Sequence, residues 1–158
     1  MSDVTVRAMR EGEEFVWLEW RMRVLADVFE HMGYFFDARV EVRNAEYIEK
    51  HFADGTCIAC FAEQGGEIIG CGAACIMEEL PSPDNMDGRC AYLMNIYVVP
   101  EERRQGTGRM IVRWLLDQVA SMGISKVMLE TTREGRTLYE ECGFHDADGY
   151  MILGHGDR

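Results

Sequence analysis

The stretch that most constrains this chain runs from Asn95 to Gly108. A β-branched and aromatic run, Ile96-Tyr97-Val98-Val99, stops at Pro100, and Arg103-Arg104-Gln105-Gly106-Thr107-Gly108 follows. An amphipathic helical pattern begins at once. A strand that feeds a glycine-opened helix is a phosphate cradle, because the first-turn N–H groups and the positive dipole end face the anion. Gly106 and Gly108 would let backbone approach closely, with no Cβ in the way. Arg103 and Arg104 add charge beside it. No Gly-Lys-Ser/Thr closes the loop, so it is not a Walker loop. Ile111 stands where a dinucleotide fingerprint needs its third glycine.

What remains is Arg103-x-x-Gly106-x-Gly108, followed by a strand-like run at Lys126 to Thr131. Then comes Gly135-Arg136-Thr137-Leu138-Tyr139-Glu140-Glu141-Cys142-Gly143-Phe144. In order and spacing, residues 91 to 154 resemble the GNAT N-acetyltransferase superfamily. The resemblance implies acetyl-CoA as co-substrate. It implies that main-chain groups of Ile96, Tyr97 and Val98 pair with the pantetheine arm. It implies a pyrophosphate loop of Arg103, Arg104, Gln105, Gly106, Thr107, Gly108 and Arg109. Tyr139 matches the tyrosine beside the coenzyme sulfur, where a phenol can protonate the leaving thiolate. Thr132 stands where many members carry a coenzyme-contacting asparagine. Glu130 resembles the general base of members that act on protein N-termini. Glu78, Glu79 and a water chain are the alternatives for that role.

Periodicity gives the same order of elements. A strand is expected over 4–9 and a helix over 13–31, its apolar stripe at Leu18, Met22, Leu25 and Phe29, widened by Trp17, Val24 and Val28. Asn44 is a candidate N-cap for a short helix to about Phe52. A hairpin over 56–63 and 67–77 turns at Gln64-Gly65-Gly66. Residues 78–89 read as a loop and the nearly all-apolar 91–99 as a central strand. A helix over 106–122 should bury Ile111, Leu115, Val119 and Met122, with Gly123 closing it. A strand over 126–131, a helix over 134–142 and one or two short strands over 144–153 complete the order β-α-α-β-β-β-α-β-α-β. The expected fold class is therefore a single α/β domain, residues 1–158, with a mixed central sheet flanked by helices.

The 158 residues suit one domain with a full core, and 47% hydrophobic content marks a globular chain. A net charge of −12 argues against nucleic acid as a partner. No apolar run approaches a membrane span and no secretory signal is visible, so a cytoplasmic protein with no membrane partner is the expectation. The acidic balance fits a cationic substrate, or solubility alone. Cys57-x-x-Cys60 lies in a strand-like run that would point its two thiols to opposite faces, so structural thiols are expected. His31, His51, His145 and His155 have no ligand spacing, and no metal is expected.

Three functions follow. The first is acetyl transfer from acetyl-CoA to a primary amine of a small molecule, by direct attack in a ternary complex. The second is acetylation of peptide or protein N-termini or lysines. The third is a non-catalytic acyl-CoA sensor. The resemblance places acceptor contacts in 28–39 and 78–89. Tyr34, Phe35 and Phe36 would form a cation–π wall there or simply pack on the core. The resemblance also admits a homodimer through edge-strand pairing.

Overall fold

A computed structural model describes residues 3–30, 32–33 and 37–154. His31, Tyr34 to Phe36 and His155 therefore lie outside the described residues. The elements are β1 (Thr5–Ala8), α1 (Glu14–Glu30), α2 (Ala38–Ala53), β2 (Cys57–Gln64), β3 (Glu67–Glu78), β4 (Arg89–Val98), a 3₁₀ turn (Pro100–Glu102), α3 (Thr107–Ser121), β5 (Lys126–Leu129) and α4 (Arg136–Glu141). The five strands form one mixed sheet in sequential order. The first four are antiparallel, and β5 joins β4 in parallel. The α/β class and nearly all of the expected order hold.

The sheet divides two apolar clusters. On one face, α3 buries Ile111, Val112, Leu115 and Val119 against Cys60, Ala62, Ala74, Ala91 and Leu93. On the other, α1 and α2 bury Trp17, Val24 and Ile48 against Cys57, Phe61, Cys71, Ala73 and Tyr97. Cys57 and Cys60 thus face opposite ways, as strand alternation demands. Gly72 brings α3 onto the sheet. A Cβ there would lie 2.6 Å from Ile111 Cγ2 and 3.1 Å from Leu115 Cδ1.

Three expectations change. Helix α2 begins at Ala38, not at Asn44, because the Asp37 carboxylate accepts the Arg39 N–H at 2.9 Å and caps the end earlier. Asn44 is consequently mid-helix, where its amide donates to the Val40 carbonyl at 2.8 Å. The buried stripe of α1 is rotated: Trp17, Val24 and Leu25 are buried, while Val28 is 44% exposed. Finally, no strand follows α4 among the described residues. The Tyr150 hydroxyl reaches Met128 Sδ on β5 at 3.3 Å, but residues 150–153 form no ladder and stay largely exposed. Gly149, with a φ of 96°, turns the chain just before them.

Candidate active site

The site is built where two parallel strands part. Strand β5 pairs with the first half of β4, from Cys90 opposite Lys126 to Leu93 opposite Leu129, and then stops. Strand β4 continues to Val98. Beyond Leu93 no described strand covers that side of β4, so Ile96, Tyr97 and Val98 lie on an edge without a partner strand, where Arg103 holds the Val98 carbonyl. Such an edge can accept an extended amide-bearing ligand as an added strand.

A bulge bends β4 at the same place. Ala73 pairs with Met94 and Cys71 with Tyr97, so three steps on β4 face two on β3. Asn95 absorbs the extra residue with a φ of 58°, a left-handed conformation asparagine tolerates. Its side chain is held: the amide donates toward Cys71 Sγ at 3.4 Å, and its oxygen accepts from Arg21 Nη1 at 3.0 Å.

The glycine loop closes one end of this slot. Arg104 and Gly106 both adopt positive φ, 62° and 90°, on either side of Gln105. Left-handed residues at such spacing make the concave amide array that binds anions. Gly106 is the N-cap of α3, whose first-turn N–H groups have no intrahelical acceptor. The second glycine has another role. A Cβ on Gly108 would point at Leu138 Cδ2, 3.3 Å away, so this glycine brings α4 close to α3. Arg103 does not face the loop either. Its Nε donates to the Val98 carbonyl at 2.8 Å, its guanidinium lies 5.3 Å from the centre of the Tyr97 ring, and Nη2 meets Asp27 at 3.3 Å. It ties the loop back to β4 and α1. Gln105 binds Glu102 at 3.1 Å, Arg104 is exposed, and Arg109 pairs with Glu141 at 3.3 Å on the surface.

Helix α4 forms the other wall. Tyr139 is half-buried against the α3 cluster, edge-on to Phe144 with ring centres 6.0 Å apart. Burial pushes its phenol above the ordinary value, with Cys142 adding to the shift. A phenol so placed keeps its proton at neutral pH. Thr132 begins the turn into α4, and its hydroxyl oxygen accepts the Gly135 N–H at 3.3 Å. Its own proton can still be donated.

Among the carboxylates, Glu130 directly follows β5 and is exposed. Glu78 and Glu79 are at the wrong end of the sheet. Glu78 pairs with Arg89, about 20 Å along β4 from Asn95 at roughly 3.3 Å per residue. Glu79 binds Lys126 Nζ at 2.7 Å and accepts from Asn85 at 3.0 Å. The Asn85 and Lys126 hydrogen bonds hold its carboxyl below the ordinary glutamate range. Both carboxylate alternatives to Glu130 are therefore remote from the slot, which leaves the water chain beside it.

One residue at the bulge was missed in the sequence. Arg21 projects from the buried face of α1, in line with Trp17 and Val24. A cation at the middle of a 17–21–24 helical stripe was the signal. Elsewhere, a groove of about 700 Å³ lies between the start of α1 and the end of α2, lined by Phe15, Leu18, Ile48, Glu49 and Phe52 among others. None of the slot residues borders it.

Residues 11–144 match the acetyltransferase (GNAT) family. The chain belongs to the acetyltransferase (GNAT) family. By class it is an acetyl-CoA-dependent N-acyltransferase. It is 24% identical over 132 residues to the uncharacterized N-acetyltransferase YhfO of Bacillus subtilis, covering 80% of this chain and 85% of that protein. It is 29% identical over 101 residues to the glucosamine 6-phosphate N-acetyltransferase of Arabidopsis thaliana, covering 64% and 66%. Its fold matches the crystal structure of a "predicted acetyltransferase with acetyl-CoA" from Clostridium acetobutylicum. The TM-score is 0.85 at 23% identity, over 98% of this chain and 100% of that one. No helix among the described residues is long and apolar enough to cross a membrane.

Proposed function

We propose that this chain, acting as one catalytic domain over residues 1–158, moves the acetyl group of acetyl-CoA to a primary amine of a small molecule, by direct attack within a ternary complex. The observation that carries this reading is the parting of β4 from β5. It leaves main chain uncovered at Ile96 to Val98, next to the loop at the start of α3. An extended pantetheine arm needs such an edge, and a pyrophosphate needs N–H groups such as those at the start of α3.

In this reading a backbone N–H at the bulge donates to the thioester oxygen as negative charge builds on it. The amine nitrogen forms its bond to the acetyl carbon, and the carbon–sulfur bond breaks. Tyr139 gives its proton to the departing sulfur and is refilled from solvent. Its raised pKa keeps the phenol protonated until the thiolate develops beside it. Glu130, exposed at the end of β5, takes the ammonium proton through water. Thr132 donates to the coenzyme.

The location that accompanies acetyl-CoA use is the cytoplasm, and six free thiols agree with it. A homodimer belongs to the same reading, supported by the exposed Met151-Ile152-Leu153 run that follows Tyr150, whose hydroxyl reaches Met128 of β5.

The test is thiol release from acetyl-CoA with a panel of amino acids, amino sugars, polyamines, aminoglycosides and short peptides. Turnover of a small amine with intersecting initial-velocity lines is expected. Parallel lines would overturn direct attack. Turnover of peptides alone would move the acceptor to protein N-termini or lysines, and coenzyme binding without turnover would favour a sensor.

A further inference from the structure

Arg21 occupies the least expected position in the molecule for a charge. It lies on the packed face of α1, half-buried, directly beneath the β4 bulge. Two of its donors are engaged: Nε to Asn44 Oδ1 at 3.1 Å and Nη1 to Asn95 Oδ1 at 3.0 Å. Both partners are neutral amides. Among the described residues the only acidic groups acting on it are the thiols of Cys75, Cys71 and Cys57, and no carboxylate does. A guanidinium carries five N–H donors in a planar fork. Three of them have no acceptor among the described residues. A half-buried charge without a matching anion is costly, and desolvation pushes the Arg21 pKa down accordingly. A simple clamp between α1, α2 and β4 would need no charge.

The surroundings hold this fork rather than absorb it. Asn44 is itself fixed by the Val40 carbonyl, and Asn95 by Cys71. Trp20 packs edge-on to Tyr97, 6.3 Å between ring centres, which holds the turn of α1 next to Arg21 against the strand. Asn95 immediately precedes the uncovered edge at Ile96. The guanidinium therefore reaches that edge through a single side chain, that of Asn95.

We propose that Arg21 is a specificity-determining residue that binds an anionic group of the acceptor, so that the substrate is a small amine bearing a carboxylate or phosphate a few bonds from its nitrogen. The proposal rests on the acetyltransferase reading and narrows its substrate class. The anion supplies the counter-charge that Arg21 lacks, through a charge-assisted pair of hydrogen bonds, and thereby aims the amine at the bulge. It also reverses the expectation from net charge alone, which favoured cations.

The experiment uses matched amines with and without the anion: amino acids against their amides, and amino sugar phosphates against the free amino sugars. Wild type is expected to favour the anionic member, and the two series separate carboxylate from phosphate. Arg21→Gln should raise KM for that member roughly 10- to 100-fold and bring the anionic-to-neutral ratio of kcat/KM toward one. Arg21→Lys should restore part of the ratio. Acetyl-CoA affinity should not move and the melting temperature should fall only modestly, through the lost bonds to Asn44 and Asn95, whereas a purely structural Arg21 would lower both members of each pair equally and leave their ratio unchanged. Cys75→Ser should keep or raise the ratio, and losing it there would assign the discrimination to the thiol and overturn the proposal. Equal turnover of both members by wild type would also overturn it. Binding of the matched pairs to the CoA complex is read in parallel by thermal shift. Anion-dependent stabilisation that Arg21→Gln abolishes, without turnover, would sustain the anion site and overturn the transferase reading. Absence of both would overturn the anion site.

Discussion

The two faces of the sheet offer different kinds of group. On the α3 side, the groups that suit a coenzyme are mostly main chain: the uncovered edge of β4 and the amides of a loop that Gly106 opens. On the α1 and α2 side, the groups at the bulge are side chains: Arg21, Asn44 and Asn95. Main-chain groups are the same in every sequence that folds this way, so they serve a ligand that does not vary. Side chains differ from one sequence to the next and serve a ligand that does. The motif that gives away the family therefore sits on one face, and the acceptor contacts we propose sit on the other.

The largest effect is expected at Tyr139, the side chain proposed as the acid on the coenzyme face. Tyr139→Phe should lower kcat on the order of 100-fold with little change in acetyl-CoA affinity or melting temperature. A fall in affinity instead would make the residue a wall of the slot. Gly106→Val comes next. The φ of 90° strains any side chain, so Kd for acetyl-CoA measured by calorimetry should rise roughly 10- to 100-fold while acceptor preference stays unchanged. A changed preference would mean that the two faces are not independent.

Smaller effects sharpen the same contrast. Gly72→Ala puts a Cβ into Ile111 and should cost about 1–3 kcal/mol in denaturant unfolding. Bound acetyl-CoA should recover part of that loss, because α3 both packs there and begins at the loop. Glu79→Gln, at the end of the strands away from the slot, should leave turnover untouched and lower the melting temperature only slightly. Its sign is set by pH. The Glu79 carboxyl is depressed by Asn85 and Lys126, so its contribution is present at neutral pH. The difference from wild type should close as pH falls below about 4.

Much of the fold was legible because local rules and tertiary packing agree. Gln64-Gly65-Gly66 turned the hairpin as expected, with Gln64 opposite Glu67. Ile111, Leu115 and Val119 are buried as their spacing predicts. Where a competing local signal intervenes, the structure departs from that pattern. Asp37 capped α2 ahead of Asn44, and residues 144–153 found no strand partner. Within the loop, sequence treated Arg103, Gly106 and Gly108 as one motif. The structure separates them into a tie to β4, a left-handed cap and a seat for α4.

Sequence alone was enough for the family and the α/β class, because the motif and the periodicities that carry them lie within short runs of chain. Only the tertiary structure decided that β5 stops at Leu129 while β4 runs on, that Glu79 is bound to Lys126, and that Arg21 meets Asn95. Each joins residues tens of positions apart, and Arg21 and Asn95 are separated by 74. No local pattern encodes such a meeting, which comes about only when both clusters pack against opposite faces of one sheet.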